Sequence, residues 1–143
     1  MKKKKILITG AAGFIGYKLY LFLKKRYEVF GLDFDIFHNQ NNAIKAIDIL
    51  DTEKFSFFFN NNRPDFIFHL AGYSGPPRND KNRDLAYKYN VDVMKALVKY
   101  LPKTTAIFFP STDKVYSGQE KPNEIINLTK PESYHGEVKL ECE

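Results

Sequence analysis

The stretch "PESYHGEVKLECE" at the end of the chain brings together three side chains able to exchange protons, Tyr134, His135 and Lys139. A tyrosine and a lysine four apart on a helix form a proton-transfer pair, because the ammonium favours the phenolate and the phenolate can take a proton from a hydroxyl. Tyr134 and Lys139 are five apart, and the residue four before Lys139 is His135. At about 100° per residue, positions four apart lie within about 40° on a helix, whereas positions five apart differ by about 140°. Three arrangements are open. A one-residue π-bulge or a late helix start returns Tyr134 to the lysine's face; His135 serves as the base, with an ordinary pKa of about 6.5 that suits the task; or the site carries no chemistry.

A second group of residues points to an anionic ligand. "ILITGAAGFIG" sets Gly10, Gly13 and Gly16, with Ala12, Phe14 and Ile15 between them, after a first strand and at the opening of a first helix. A pyrophosphate needs a tight turn, a backbone with no side chain in its way, and a helix N-terminus whose N–H groups and dipole favour negative charge. Asp33, in "VFGLD", follows about twenty residues later at the end of the next strand, where a carboxylate accepts from both ribose hydroxyls and repels a 2′-phosphate. That favours NAD over NADP; the alternative is a solvated strand-end aspartate.

The elements that must position these residues follow from periodicity. "KILIT" reads as a strand, "FIGYKLYLFLKKRY" as a helix and "YEVFGLD" as a second strand. "HNQNN" is a polar loop and "AIKAIDI" a third strand; "DTEKFSFFFNNN" is an amphipathic helix capped by Asp51 or Thr52, and "DFIFHLAG" is strand four. "RDLAYKYNVDVMKALVKYL" is a long helix with Leu85, Tyr89, Val93, Ala96, Leu97 and Tyr100 on one face. "TAIFFPST" is strand five, and a last helix opens at Thr129, with Glu132 completing a capping box. Strands alternating with helices imply an α/β fold, a Rossmann-like doubly wound parallel sheet with helices on both faces.

Composition excludes several classes. Hydrophobic residues at 43% and charged residues at 27% fit a folded domain rather than a disordered chain. The net charge of +5 owes much to the lysines at 2–5, which read as a solubilising terminus before a buried strand, not as a nucleic-acid contact. The apolar run after them is too short for an export signal or a membrane span, so a cytoplasmic protein without membrane or nucleic-acid partners is expected. The lone Cys142 fits a reducing compartment and is read as structural, and no metal site is expected.

In this order "TGAAGFIG", "GLD", "DILD", "HLAG", "NV", "STDKVYSG" and "KLECE" resemble, over the whole chain, the extended short-chain dehydrogenase/reductase family, the NAD-dependent epimerases and dehydratases of nucleotide sugars. The resemblance implies NAD as cofactor, a nucleotide sugar as substrate and an oxidoreductase or lyase. It also implies a homodimer paired through the helices at 80–101 and 131–143. By resemblance Asp48 and Ile49 contact the adenine, Leu70, Ala71 and Gly72 line the ribose and phosphates, and Asn90 holds a hydrogen-bond network at the active site. Thr112 falls at the catalytic hydroxyl position, Asp113 beside it resembles the acid of some 4,6-dehydratases, and Lys114 stands where most of these have Glu. Without the family context, "HLAG" reads as a strand end, Asn90 as a surface helix residue and "STDK" as a turn. The implied reaction is removal of a sugar hydroxyl's proton while hydride passes to NAD, followed by water loss or re-reduction. The family's chains continue to further strands and a sugar-holding lobe. Residues 1–143 are therefore expected to form one NAD(P)-binding Rossmann domain without those strands and lobe, either a working part of an enzyme or a truncated NAD-binding module without turnover.

Overall fold

The computed structural model describes residues 3–36, 43–73, 80–116 and 129–143. The polar loop at 38–42 and the Ser-Gly end of "STDKVYSG" lie outside them. In chain order the elements are β1 (Lys5–Thr9), α1 (Phe14–Leu23), β2 (Glu28–Asp33), β3 (Ile44–Ala46), α2 (Thr52–Asn62), β4 (Phe66–His69), α3 (Asp80–Tyr87), a π-helical turn (Lys88–Asp92), α4 (Val93–Lys99), β5 (Ala106–Phe108), a 3-10 turn (Asp113–Val115) and α5 (Tyr134–Cys142). All five strands pair in parallel in the order β3-β2-β1-β4-β5. The sheet is therefore the Rossmann-like one expected. Among the described residues, no helix is long and apolar enough to cross a membrane.

The residues fall into two compact units, Met1–Ala71 with Ala96–Phe109, and Gly72–Lys95 with Pro110–Glu143. The first holds the sheet. Strand order reverses at β1, so right-handed crossovers put α1 on one face of the sheet and α2 on the other. The packing agrees: Tyr20 of α1 joins Ile6, Ile8, Ala11 and Ile44 in one buried cluster. On the opposite face Phe58 of α2 meets Phe30 edge-on at 6.0 Å, and Phe55 meets Tyr100 at 5.8 Å. The phenylalanines of "FSFFF" thus divide: Phe55, Phe58 and Phe59 are core, whereas Phe57 is exposed.

Three expectations are corrected. The third strand covers Ile44–Ala46 only, because Asp48 turns the chain: its Oδ1 accepts from Leu50 N at 2.8 Å and its carbonyl from Asp51 N at 3.1 Å. The last helix starts at Tyr134, not Thr129. Thr129 bridges Tyr116, and Lys130 N donates to Val115 O at 2.9 Å, which holds this segment extended until Ser133 caps the helix through Gly136 N. The long helix carries a π-helical turn at Lys88–Asp92, and the buried set is Ala86, Asn90, Val91, Val93, Met94 and Leu97. The extra residue of that turn shifts the phase between Tyr89 and Val93, and Tyr100 lies past the end of α4 at Lys99, so Val93 and Leu97 are core but Tyr89 and Tyr100 are only partly buried.

Candidate functional site

The first unit holds the loop residues, Asp33, Asp48, Ile49, Leu70 and Ala71; the second holds Gly72, Asn90, Thr112, Asp113, Lys114, Tyr134, His135 and Lys139. In the first unit, Gly10 has φ +70°, and a Cβ there would stand 2.6 Å from Ala71 N and 2.7 Å from the Leu70 carbonyl carbon. No other residue fits that turn without strain. Thr9 draws the ends of β1 and β4 together: its backbone oxygen accepts from Leu70 N at 3.1 Å and its hydroxyl from Ala71 N at 3.3 Å. The same hydroxyl lies 2.7 Å from His69 Nδ1, with both residues buried. Thr9 and His69 were not singled out in the sequence, where they read as ordinary strand-end residues.

The opening of α1 suits an outside anion. Gly13, its cap, offers no side-chain acceptor, and the first turn has no acidic residue. Phe14 and Ile15 are 79% and 67% exposed there. Asp33 Oδ2 accepts from Ala12 N at 2.8 Å and Oδ1 from Phe34 N at 2.8 Å, so the carboxylate is fixed to the loop and still has lone pairs for hydroxyl donors. Asp48 is partly exposed, but Ile49 is buried at 6% and belongs to the core. A dinucleotide fits the donors and acceptors that this loop presents.

In the second unit, Asn90 is buried and its amide donates to Ala86 O at 2.7 Å and Tyr73 O at 3.1 Å, pinning the chain after β4 to the helix. Thr112 caps the 3-10 turn, accepting from Lys114 N at 3.3 Å and donating to Asp113 Oδ1 at 3.1 Å. Gly136 of α5 lies against the carbonyl of Lys114 so closely that any Cβ would overlap it. This glycine, not noted in the sequence, is what lets α5 sit on the Thr112–Val115 segment.

The structure separates Tyr134 from His135. Tyr134 donates its hydroxyl to Arg83 O at 3.0 Å, and the Arg83 guanidinium stacks 4.6 Å from its ring. Burial raises the phenol's pKa, with Arg83 opposing and Asp84, Glu137 and Tyr87 adding to the rise. His135 is pushed below the usual histidine range by burial first, then by the positive charges of Lys139 and Lys114. Lys139 donates to Pro110 O at 3.0 Å, and burial lowers its pKa. The late helix start does occur, but the only π-helical turn among the described residues lies around Asn90.

The model of a family described as "NAD dependent epimerase/dehydratase family" matches residues 6–143. The chain belongs to that family. Among family relatives, methionine adenosyltransferase 2 subunit beta of Bos taurus is 26% identical over 142 residues, which is 98% of this chain and 42% of the relative. The dTDP-D-glucose 4,6-dehydratase of Dictyostelium discoideum is 32% identical over 146 residues, covering 87% of this chain and 32% of that one. The UDP-glucuronic acid 4-epimerase from Bacillus cereus, solved in complex with NAD, superposes with a TM-score of 0.79 at 29% identity, over 96% of this chain and 50% of that one. The chain thus spans half or less of the length of these relatives. NAD is the family's cofactor.

Proposed function

We propose that this chain binds NAD and takes part in oxidising a hydroxyl of a nucleotide sugar, as an epimerase or dehydratase. The observation that carries the reading is the glycine loop: a helix opening without its own acceptor, tied through Ala12 N to a strand-end carboxylate, Asp33. Gly10 and Gly13 make room for the pyrophosphate, the first-turn amides of α1 receive its charge, and Asp33 accepts from the adenosine ribose. Asp48, Leu70, Ala71 and Gly72 border the cofactor in this reading, and Asn90 holds the chain after β4. When bound, NAD accepts a hydride from the sugar carbon and can return it. The Thr112 hydroxyl hydrogen-bonds the reacting sugar oxygen, Lys139 supplies positive charge beside it, and Asp113 is placed next in sequence to assist loss of water. The nucleotide sugar is proposed from the relatives' substrates, a dTDP-sugar and a UDP-sugar.

Calorimetric titration with NAD tests the first step: binding is expected, and Gly13→Val should abolish it. Incubation with NAD and UDP-, dTDP-, CDP- and GDP-sugars, followed by mass spectrometry, tests the second. Binding without any conversion would reduce the proposal to an NAD-binding module without turnover. Pairing through the helices at 80–101 and 131–143 belongs to the same proposal, and light scattering should then report twice the monomer mass.

A further inference from the structure

We propose that His135, not Tyr134, takes the hydroxyl proton in the reaction proposed above, on which this inference rests. Helix α5 is regular from Tyr134 to Cys142, so His135 and Lys139 stand one turn apart on one face, and Tyr134 is turned from it by about 140°. Tyr134 has another task. Its hydroxyl is spent on Arg83 O and its ring on the Arg83 guanidinium, which fastens α5 to α3. Moving the phenol to the face of Lys139 would break both contacts.

The contact of Gly136 with the Lys114 carbonyl fixes the other side of the arrangement. It seats the turn of α5 that bears His135 on the segment that bears Thr112, Asp113 and Lys114, and His135 accordingly feels the charge of Lys114 as well as that of Lys139. Those are the charged groups that act on it, one from its own helix and one from the 3-10 turn. Both favour the neutral imidazole, which is the form able to accept a proton. A phenol in this place would work as phenolate and gain from the same lysines. The pair of lysines therefore serves either base, and replacing tyrosine by histidine moves the working range to lower pH.

The step balances without a further reactant. The hydroxyl proton passes to the unprotonated ring nitrogen of His135 as the O–H electron pair becomes the second C–O bond, and the carbon's hydride leaves to the oxidised dinucleotide. The resulting imidazolium, beside two lysines, returns its proton when the keto group is reduced.

The test is a pH titration of the histidine and tyrosine ring resonances of the full chain by NMR, with NAD in its oxidised form and again with the reduced form. The oxidised nicotinamide adds one positive charge. The midpoint of His135 should lie about half a pH unit lower with the oxidised form, as for a nearby unit charge in near-aqueous surroundings. Equal midpoints with both forms, while the Gly10 and Gly13 amides report both bound, overturn the inference and leave NAD binding standing. A response of the Tyr134 ring in place of His135 overturns it too. If neither form moves the loop amides, the NAD reading falls and takes the inference with it.

Discussion

Single residues carry most of what is specific here, and the backbone angle decides two of them in opposite senses. Gly10 needs its positive φ, so Gly10→Ala should cost at least about 1–3 kcal/mol of stability and abolish NAD binding, seen by urea denaturation and by titration. Arg63, with φ 46°, closes α2 in the same left-handed region that glycine prefers. Its side chain is exposed, so Arg63→Gly should stabilise the fold by about 0.5–1 kcal/mol in the same assay. His135 adds a pH dependence. Its folded pKa lies below its ordinary value, so the unfolded chain binds the proton more readily as pH falls through about 6.5, and folding stability is lost there. Between pH 7 and 5.5 the native chain should therefore lose more stability than His135→Gln.

Elements show why parts of this site were legible in the sequence and others not. The glycine loop was legible because each of its requirements is local: a strand, a turn that only glycine allows, a helix opening, a carboxylate one strand later. Asp51 was expected as a cap of α2 and is one, with Oδ1 accepting from Lys54 N at 3.2 Å. The start of α5 was not legible, because two capping signals compete within five residues. Thr129 with Glu132 spells a capping box, but the bridge from Thr129 to Tyr116 and the bond from Lys130 N to Val115 O come from distant chain and override it. The π-helical turn was equally hidden: Asn90 within it donates its side-chain amide to Ala86 O one turn back, and no periodicity announces that. Ser133→Ala removes the cap that does operate and should cost about 1 kcal/mol. Thr129→Ala leaves the start of α5 where it is, so circular dichroism should show no loss of helix from it.

At the scale of the whole molecule, charge and site pull in different directions, and the conflict can be measured. A net charge of +5 attracts any dinucleotide, and attracts NADP, with its extra phosphate, more strongly than NAD. Lys4 and Lys5, at the opening of β1 and about 15 Å along the strand from the glycine loop, are paired with Asp65 at 3.3 Å and Glu28 at 3.7 Å, so the excess positive charge acts on the loop only through the long-range field. In the proposed site Asp33 acts at contact, where a 2′-phosphate would meet its carboxylate. Salt screens the distant charges strongly, since the Debye length falls from about 30 Å at 0.01 M to about 10 Å at 0.1 M, and the close repulsion much less. The preference for NAD over NADP should therefore widen as salt is added, even while both affinities fall. Asp33→Asn should remove the contact term and leave the field, so that the variant binds NADP at least as well as NAD at low salt. At a concentration of about 100 times its dissociation constant, NAD should raise the unfolding free energy of the native chain by about 2.7 kcal/mol. At about 0.1 M salt or above, where the distant field is screened, a native chain that NADP stabilises as much as NAD at equal concentration would show that Asp33 does not face the ribose.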